Sequence, residues 1–379
     1  MKKVTIAVDS FKGSLSSREV AEALEAGVRS VCPHCEVCKV SIADGGEGTV
    51  EAIVDSLGGE VVEISVTGPL GAPTVARYGM VADKGLAIVE MASASGLPLL
   101  SPEERNPMLT STLGTGEIIA DAIRRGCRRF LVGIGGSATN DAGIGMLHAL
   151  GYRFVDKDGE VVEPCGGNLA KIRTIDRSGV MEELAECEFT VACDVTNPLY
   201  GPNGAAYVYA PQKGATPQMV ELLDEGLRNF AHIVKQHNGL DVAPIEGAGA
   251  AGGLGAGFVA LLGARLQRGI GMVMEALQFD RLIEGSDLVI TGEGRVDRQT
   301  VMGKAPSGVL EVASAQGIPV VAVGGGVAWC KELAESGFAA ILPIVSGPIS
   351  LEEAMRPEVA RENLTRTATQ IVKLFTTKQ

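Results

Sequence analysis

Positive charge is in short supply in this chain: 33 Lys and Arg stand against 46 Asp and Glu, a formal net charge of −13 over 379 residues. A nucleic acid or an anionic membrane surface suits such a protein poorly, because binding by counterion release needs clustered cations. Aromatic residues are scarce too, at 4%, with Trp329 the single tryptophan; stacking platforms for single-stranded nucleic acid are therefore missing. No apolar run approaches the roughly 20 residues of a membrane span. The opening MKKVTIAVDS has neither the h-region nor the cleavage site of a secretory signal. These absences predict a cytoplasmic protein without a membrane partner.

Metal and nucleophile signatures are absent as well. Eight cysteines spread over the chain build no disulfide scaffold and fit a reducing compartment. Cys32 and Cys35 form a CxxC, followed by Cys38, but no second ligand pair follows, so this segment reads as a helix-to-strand connection rather than a zinc site. His34, His148, His232 and His237 lack ligand spacing. There is no GxxxxGK[ST] loop, no glycine fingerprint after the first strand and no convincing GxSxG elbow, which disfavours P-loop, NAD and serine-hydrolase chemistry.

Glycine is what the chain has in excess: 50 residues, against a usual share of about 7%. The stretch Phe130 to Gly145, FLVGIGGSATNDAGIG, concentrates it. An apolar strand empties into Gly135, Gly136, Ser137, Thr139 and Asn140 just where a helix is expected, so backbone and side-chain donors would collect at a helix N-terminus, a place that favours anions. Asp141 does not suit a bare phosphate, and it points instead to a divalent metal, a substrate hydroxyl or its own helix N-terminus.

The hydrophobic pattern predicts an α/β fold of two domains. Val4 to Val8 and Val37 to Ile42 read as buried strands, each followed by a helix; Ser16 and Glu19 form a capping box for the first. Leu288 to Ile290, Pro319 to Val323 and Phe338 to Ile344 repeat the pattern near the other end. We therefore expect an open, parallel-sheet, Rossmann-like domain built from both chain ends, residues 1–65 and 285–379, and an inserted mixed α/β domain, 66–284, with the active site in the cleft between them. Within the insert, Glu60 to Thr67, Thr74 to Val81 and Ala87 to Met91 suggest partly antiparallel strands. Thr216 and Pro217 mark the start of a long amphipathic helix.

Four polar loops follow apolar strands: Asp9 to Ser14, Asp44 to Thr49, Gly135 to Gly143, and Thr291 to Asp297. The carboxyl ends of strands are where open α/β sheets bind ligands. A fifth loop, Gly247 to Gly257, carries six glycines. These loops hold carboxylates (Asp9, Asp44, Glu47, Asp141, Asp194, Glu293 and Asp297) and cations (Lys12, Arg295 and Lys304). Phosphoryl transfer asks for that combination, with donors and cations around the phosphates, magnesium between phosphate and carboxylate, and a base for the acceptor hydroxyl.

In order along the chain, DSFKGS, ADGGEGT, TGPLG, EMASASGL, GTGE, IGGSATND, ACDVTNPL, APQKGA, GAGAAGG and ITGEGRVDRQ resemble the motifs of the type-1 glycerate kinases over nearly the whole length. Gly13 stands where glutamate is usual, and Ala210 where glycine is usual. The resemblance implies ATP-dependent phosphorylation of D-glycerate, with 2-phosphoglycerate the usual product and ATP and Mg²⁺ as cofactors. Within it we expect Asp194 as the base with Asp141 as its rival, and Lys12 beside them as a catalytic cation. Asp9, Ser10, Gly135, Gly136, Ser137, Thr139, Asn140, Asn197, Gly252, Gly253 and Arg295 are expected around substrate and phosphate. Asp44, Glu293 and Asp297 are expected to hold magnesium. Glycerate and ATP are the partners expected, with no nucleic acid, for a monomer or homodimer. A kinase for another small hydroxy acid and a non-catalytic sensor of phosphorylated metabolites are the alternatives.

Overall fold

The computed structural model describes residues 1–43 and 48–376. Its strands are β1 Lys3–Val8, β2 Glu36–Ser41, β3 Glu60–Thr67, β4 Pro73–Val81, β5 Leu86–Glu90, β6 Arg129–Gly133, β7 Arg153–Val155, β8 Thr174–Asp176, β9 Glu188–Ala192, β10 Arg265–Gln267, β11 Leu288–Val296, β12 Val320–Val327 and β13 Ala340–Pro343. The described residues fall into two compact units, one from 1–43, 55–57 and 273–376, the other from 48–54 and 58–272.

The first unit is built on a five-stranded sheet in the order β13-β12-β11-β1-β2, parallel throughout. Helix Ser17–Val31 connects β1 to β2 and starts as expected: the Ser16 side chain accepts the Glu19 amide and the Glu19 carboxylate accepts the Ser16 amide. It packs on the sheet together with helix Pro357–Thr376, burying Val20, Leu24 and Val28 with Leu364, Ala368 and Ile371. One expectation is corrected here. Thr291 to Val296 is not a loop; β11 continues through it, because Gly292, Glu293 and Arg295 keep pairing with Val323, Gly324 and Gly326 of β12. A Cβ on Gly292 would lie 2.3 Å from the Val323 carbonyl oxygen, so only glycine lets the two strands run on at this spacing.

The second unit holds a six-stranded mixed sheet, β10-β9-β6-β5-β4-β3. Strands β5, β6, β9 and β10 are parallel, and β4 and β3 add antiparallel to its edge. Strand β3 runs across residue 65, where the sequence suggested a boundary, and pairs with β4 along its whole length. Phe130 of β6 stacks on Phe189 of β9 with ring centroids 4.8 Å apart, a contact worth about 0.5–1.5 kcal/mol beyond its buried area. Helix Pro217–Asn238 opens on the Thr216 cap with Pro217 in its first turn, and it buries Leu223, Leu227, Phe230 and Val234. No described helix is long and apolar enough to cross a membrane. All eight cysteines are free.

Candidate active site

In the second unit β6 ends at Gly133, and the chain then leaves regular structure. Gly135 and Gly136 are exposed, whereas Ser137, Thr139, Asn140 and Asp141 are buried. The EMASASGL segment and Thr110 hold this stretch in place. Leu97 N–H donates to the Gly136 carbonyl at 2.8 Å and Ala138 N–H to that of Ser95 at 3.0 Å, while the Thr110 hydroxyl donates to the Ala138 carbonyl at 2.9 Å. The expectation of a helix directly after the donors needs correction. The helix is Ile144–Ala149, six residues long, and it is entered through Ala142 and Gly143 at φ 50 and 78. Ser137 to Asn140 lie before that left-handed turn.

Of the three roles left open for Asp141, the fold uses the helix N-terminus. Its carboxylate accepts the Gly143 amide at 3.1 Å and the Gly145 amide at 3.3 Å. It also accepts the amide and the hydroxyl of Thr112, both at 2.8 Å. Thr112 is the N-cap of helix Leu113–Arg124, so one carboxylate joins the starts of two helices, the sign of charge their dipoles favour. Burial pushes the Asp141 carboxyl above its ordinary range, and the four donors oppose that rise.

The GAGAAGG segment lies directly against this turn. Ala251, Gly252 and Gly253 are consecutively left-handed, at φ 53, 70 and 89, inside helix Ala250–Leu262. Gly252 accepts the Ala142 amide at 3.0 Å, and a Cβ on it would stand 2.1 Å from the Thr139 carbonyl oxygen. Gly249 N–H donates to the Asn197 carbonyl at 3.0 Å, which ties the ACDVTNPL loop to the same cluster. The side chain of Asn197 braces its own loop, its amide donating to the Asn203 carbonyl at 2.8 Å and its oxygen accepting the Tyr209 hydroxyl at 2.6 Å. Asp194 is exposed just past the end of β9, and its Oδ1 accepts the Gly269 amide at 3.0 Å.

Lys213 is the residue that sequence reasoning left out of the site. The motif APQKGA carries it, and it is only 2% exposed. Its ammonium donates to Ser137 Oγ and to the Thr139 carbonyl, both at 2.6 Å. Burial pushes it down to about 7, and Asp141 opposes the fall. Around it, Thr139 Oγ1 and both polar atoms of the Asn140 amide are buried without a hydrogen-bond partner in the protein. The order of the motifs could have pointed to Lys213, since APQKGA was among them; nothing within the motif announces burial.

The first unit gathers a separate set. Asp9 N–H donates to the Gly292 carbonyl at 2.9 Å, so the DSFKGS turn sits beside β11. Ser10 N–H donates to Asp9 Oδ1 at 2.6 Å, and Lys12 is exposed. Glu293 is buried; it accepts the Thr300 hydroxyl at 2.6 Å and faces the Lys304 ammonium at 3.3 Å. Burial raises its carboxyl, with Thr300 and Lys304 opposing. Asp297 caps the short turn that follows, accepting the Gln299 amide at 2.9 Å, and Arg295 lies 3.4 Å from its other oxygen. Asp44 and Glu47 lie outside the described residues. Among the described residues no three His, Cys, Asp or Glu side chains gather to hold a metal. The structure thus brings Ser137, Thr139, Asn140, Asp141, Gly252 and Gly253 together in one unit, and Asp9, Ser10, Glu293, Arg295 and Asp297 belong to the other.

The model of the "Glycerate kinase family" matches residues 4–376. The chain is 48% identical over 374 residues to a glycerate kinase of Bacillus cereus, covering 98% of each. It is 43% identical over 370 residues to the glycerate 2-kinase of Escherichia coli, covering 97% of each. A crystal structure of a candidate glycerate kinase 2 from Salmonella typhimurium LT2 superimposes with a TM-score of 0.92 at 44% identity, covering 100% of this chain and 99% of the other.

Proposed function

The chain belongs to the glycerate kinase family, and on that premise we propose that it transfers the terminal phosphoryl group of MgATP to the 2-hydroxyl of D-glycerate, releasing ADP and 2-phosphoglycerate. The observation that carries the choice of hydroxyl is the Escherichia coli relative, whose name specifies the 2-kinase. We further infer a cytoplasmic enzyme, monomeric or homodimeric, with no nucleic-acid or membrane partner.

Phosphoryl transfer asks little covalent chemistry of a protein; it needs donors around the moving group and a base for the acceptor hydroxyl. In this reading the exposed backbone at Gly135 and Gly136, the Ser137 hydroxyl and the unpartnered groups of Thr139 and Asn140 supply donors. Gly252 and Gly253 shape the loop behind them. Asp194 takes the hydroxyl proton, a role its exposure allows. Asp141, buried and holding four donors, acts as a positioning residue, and Asn197 braces the Asp194 loop. Asp9, Ser10, Lys12 and Arg295 are the first unit's substrate-binding groups. Magnesium enters with the nucleotide. Asp44, Glu293 and Asp297 are the carboxylates the sequence offers it. Thr300 and Lys304 already engage Glu293, and Gln299 and Arg295 engage Asp297, a set ill suited to direct coordination.

The test is purified protein with D-glycerate and MgATP, ADP release being followed in a coupled assay and the product offered to enolase. Enolase dehydrates 2-phosphoglycerate and leaves 3-phosphoglycerate untouched. Phosphoenolpyruvate without added mutase is the expected result. ADP release without it assigns the 3-hydroxyl, and ADP release only with other hydroxy acids assigns a different substrate.

A further inference from the structure

The bonds around Lys213 give the Ser137 hydroxyl a direction. A charged lysine ammonium has donors and no acceptor, so whenever Lys213 is protonated Ser137 Oγ, 2.6 Å away, accepts from it. The hydroxyl keeps its own proton to donate, and among the described residues no acceptor takes it. Ser137 is 7% exposed and follows directly on the exposed Gly135 and Gly136. Lys213 lies beneath it, and among the described residues no carboxylate lies within ion-pair distance of the ammonium. Buried charges are ordinarily paired. A buried cation beside a hydroxyl that still has its proton to donate is complementary to an anionic oxygen.

We propose that Lys213 is a positioning residue that polarises the Ser137 hydroxyl toward an anionic oxygen of the substrate, carboxylate or phosphoryl, so that anion binding at this loop is coupled to the charge on Lys213. This deepens the phosphoryl-transfer reading above and rests on it. The charged groups around the ammonium are few. Asp141, from the same loop, favours the charged form. Arg105 packs against the residue after Lys213, where a Cβ on Gly214 would lie 2.2 Å from the Arg105 carbonyl oxygen, and its Nε is buried without a partner. The GAGAAGG segment and helix Ala205–Tyr209 bring no charged side chain. With burial holding Lys213 down to about 7, an arriving anion draws a proton onto it near neutral pH.

Calorimetric titration at pH 7, in two buffers of different ionisation enthalpy, measures that proton directly. D-glycerate and MgADP are titrated separately. One of them is expected to bind with uptake of up to about half a proton, and its Kd to rise up to tenfold per pH unit above about 7. Uptake with D-glycerate identifies the carboxylate as the bound anion, and uptake with MgADP identifies the phosphate. Lys213→Met is expected to abolish the uptake and weaken that ligand at least tenfold. Ser137→Ala, which leaves Lys213 in place, is expected to weaken the same ligand and lower the uptake. Binding to the wild type with heats independent of buffer for both ligands overturns the proposal, as does uptake that survives in Lys213→Met. Should Lys213→Met fail to fold, Ser137→Ala decides: wild-type affinity with unchanged uptake overturns the proposal. Turnover together with proton-neutral binding overturns this inference alone, whereas absence of both turnover and binding overturns the functional reading beneath it.

Discussion

Asp141 takes both donors of Thr112, amide and hydroxyl, at 2.8 Å each, and the Thr112 hydroxyl in turn accepts the Met146 amide at 2.9 Å. This one pair locks two regions that are remote in sequence: the start of helix Leu113–Arg124, and the left-handed turn at Ala142 with the helix Ile144–Ala149 that follows it. The loop proposed above to bind the substrate's anion directly precedes that lock.

Thr112→Val keeps the shape of the side chain and removes its hydroxyl. It deprives a buried carboxylate of one donor and leaves the Met146 amide without its acceptor, which is expected to cost about 2–4 kcal/mol. Urea denaturation measures the loss. A change below about 0.5 kcal/mol would show that the lock is not a source of stability.

Gly252→Ala and Gly135→Ala are expected to behave oppositely. At Gly252 the backbone is left-handed, φ 70, and a Cβ would meet the Thr139 carbonyl oxygen at 2.1 Å; strain and overlap together predict a loss of about 2–4 kcal/mol. At Gly135 a Cβ meets nothing within 4 Å, so stability should change by less than about 0.5 kcal/mol. If the Gly135 backbone faces substrate, the second variant instead raises KM. Thermal melts and steady-state kinetics on the pair separate folding from binding.

Asp194→Asn removes the proposed base while keeping an oxygen for the Gly269 amide. Turnover should fall by about 10²–10⁴, with the melting temperature little changed. Near-normal kcat in this variant would transfer the role of base to another group.

Lys213 also predicts how stability varies with pH. Its folded value, about 7, lies below the ordinary 10.5, so between those limits the unfolded chain binds more protons than the folded one. Stability contributed by this residue therefore rises with pH from about 7 toward 10, by at most about 1.4 kcal/mol per unit. Denaturation curves at pH 7 and 9 check the sign: the difference between wild type and Lys213→Met should shift in favour of the wild type at the higher pH. A difference that does not move with pH would mean that the buried lysine is charged throughout this range.

Much of the fold could be read locally. The capping box at Ser16 and Glu19, and the Thr216 cap with Pro217 after it, are interactions between residues a turn apart, so their partners stand in the same few letters of sequence. Strands β3 and β4 were legible for the same reason, set off from each other by the turn Gly68-Pro69-Leu70-Gly71. The glycine run of β11 misled because its extended state is fixed by β12, a strand with no local signature at Gly292.

The sequence by itself determined the alternation of elements, the ordered motifs that mark the family, and the acidic, aromatic-poor composition that disfavours nucleic acid; each depends on identity and near neighbours. Tertiary structure alone decided that Asp141 joins two helix starts and that Lys213 is buried. Lys213 meets Ser137 and Thr139 across 76 and 74 residues, and Asp141 meets Thr112 across 29. A side chain's burial, and therefore its charge, depends on which distant segments pack over it, and the residues beside it in the chain carry no record of that.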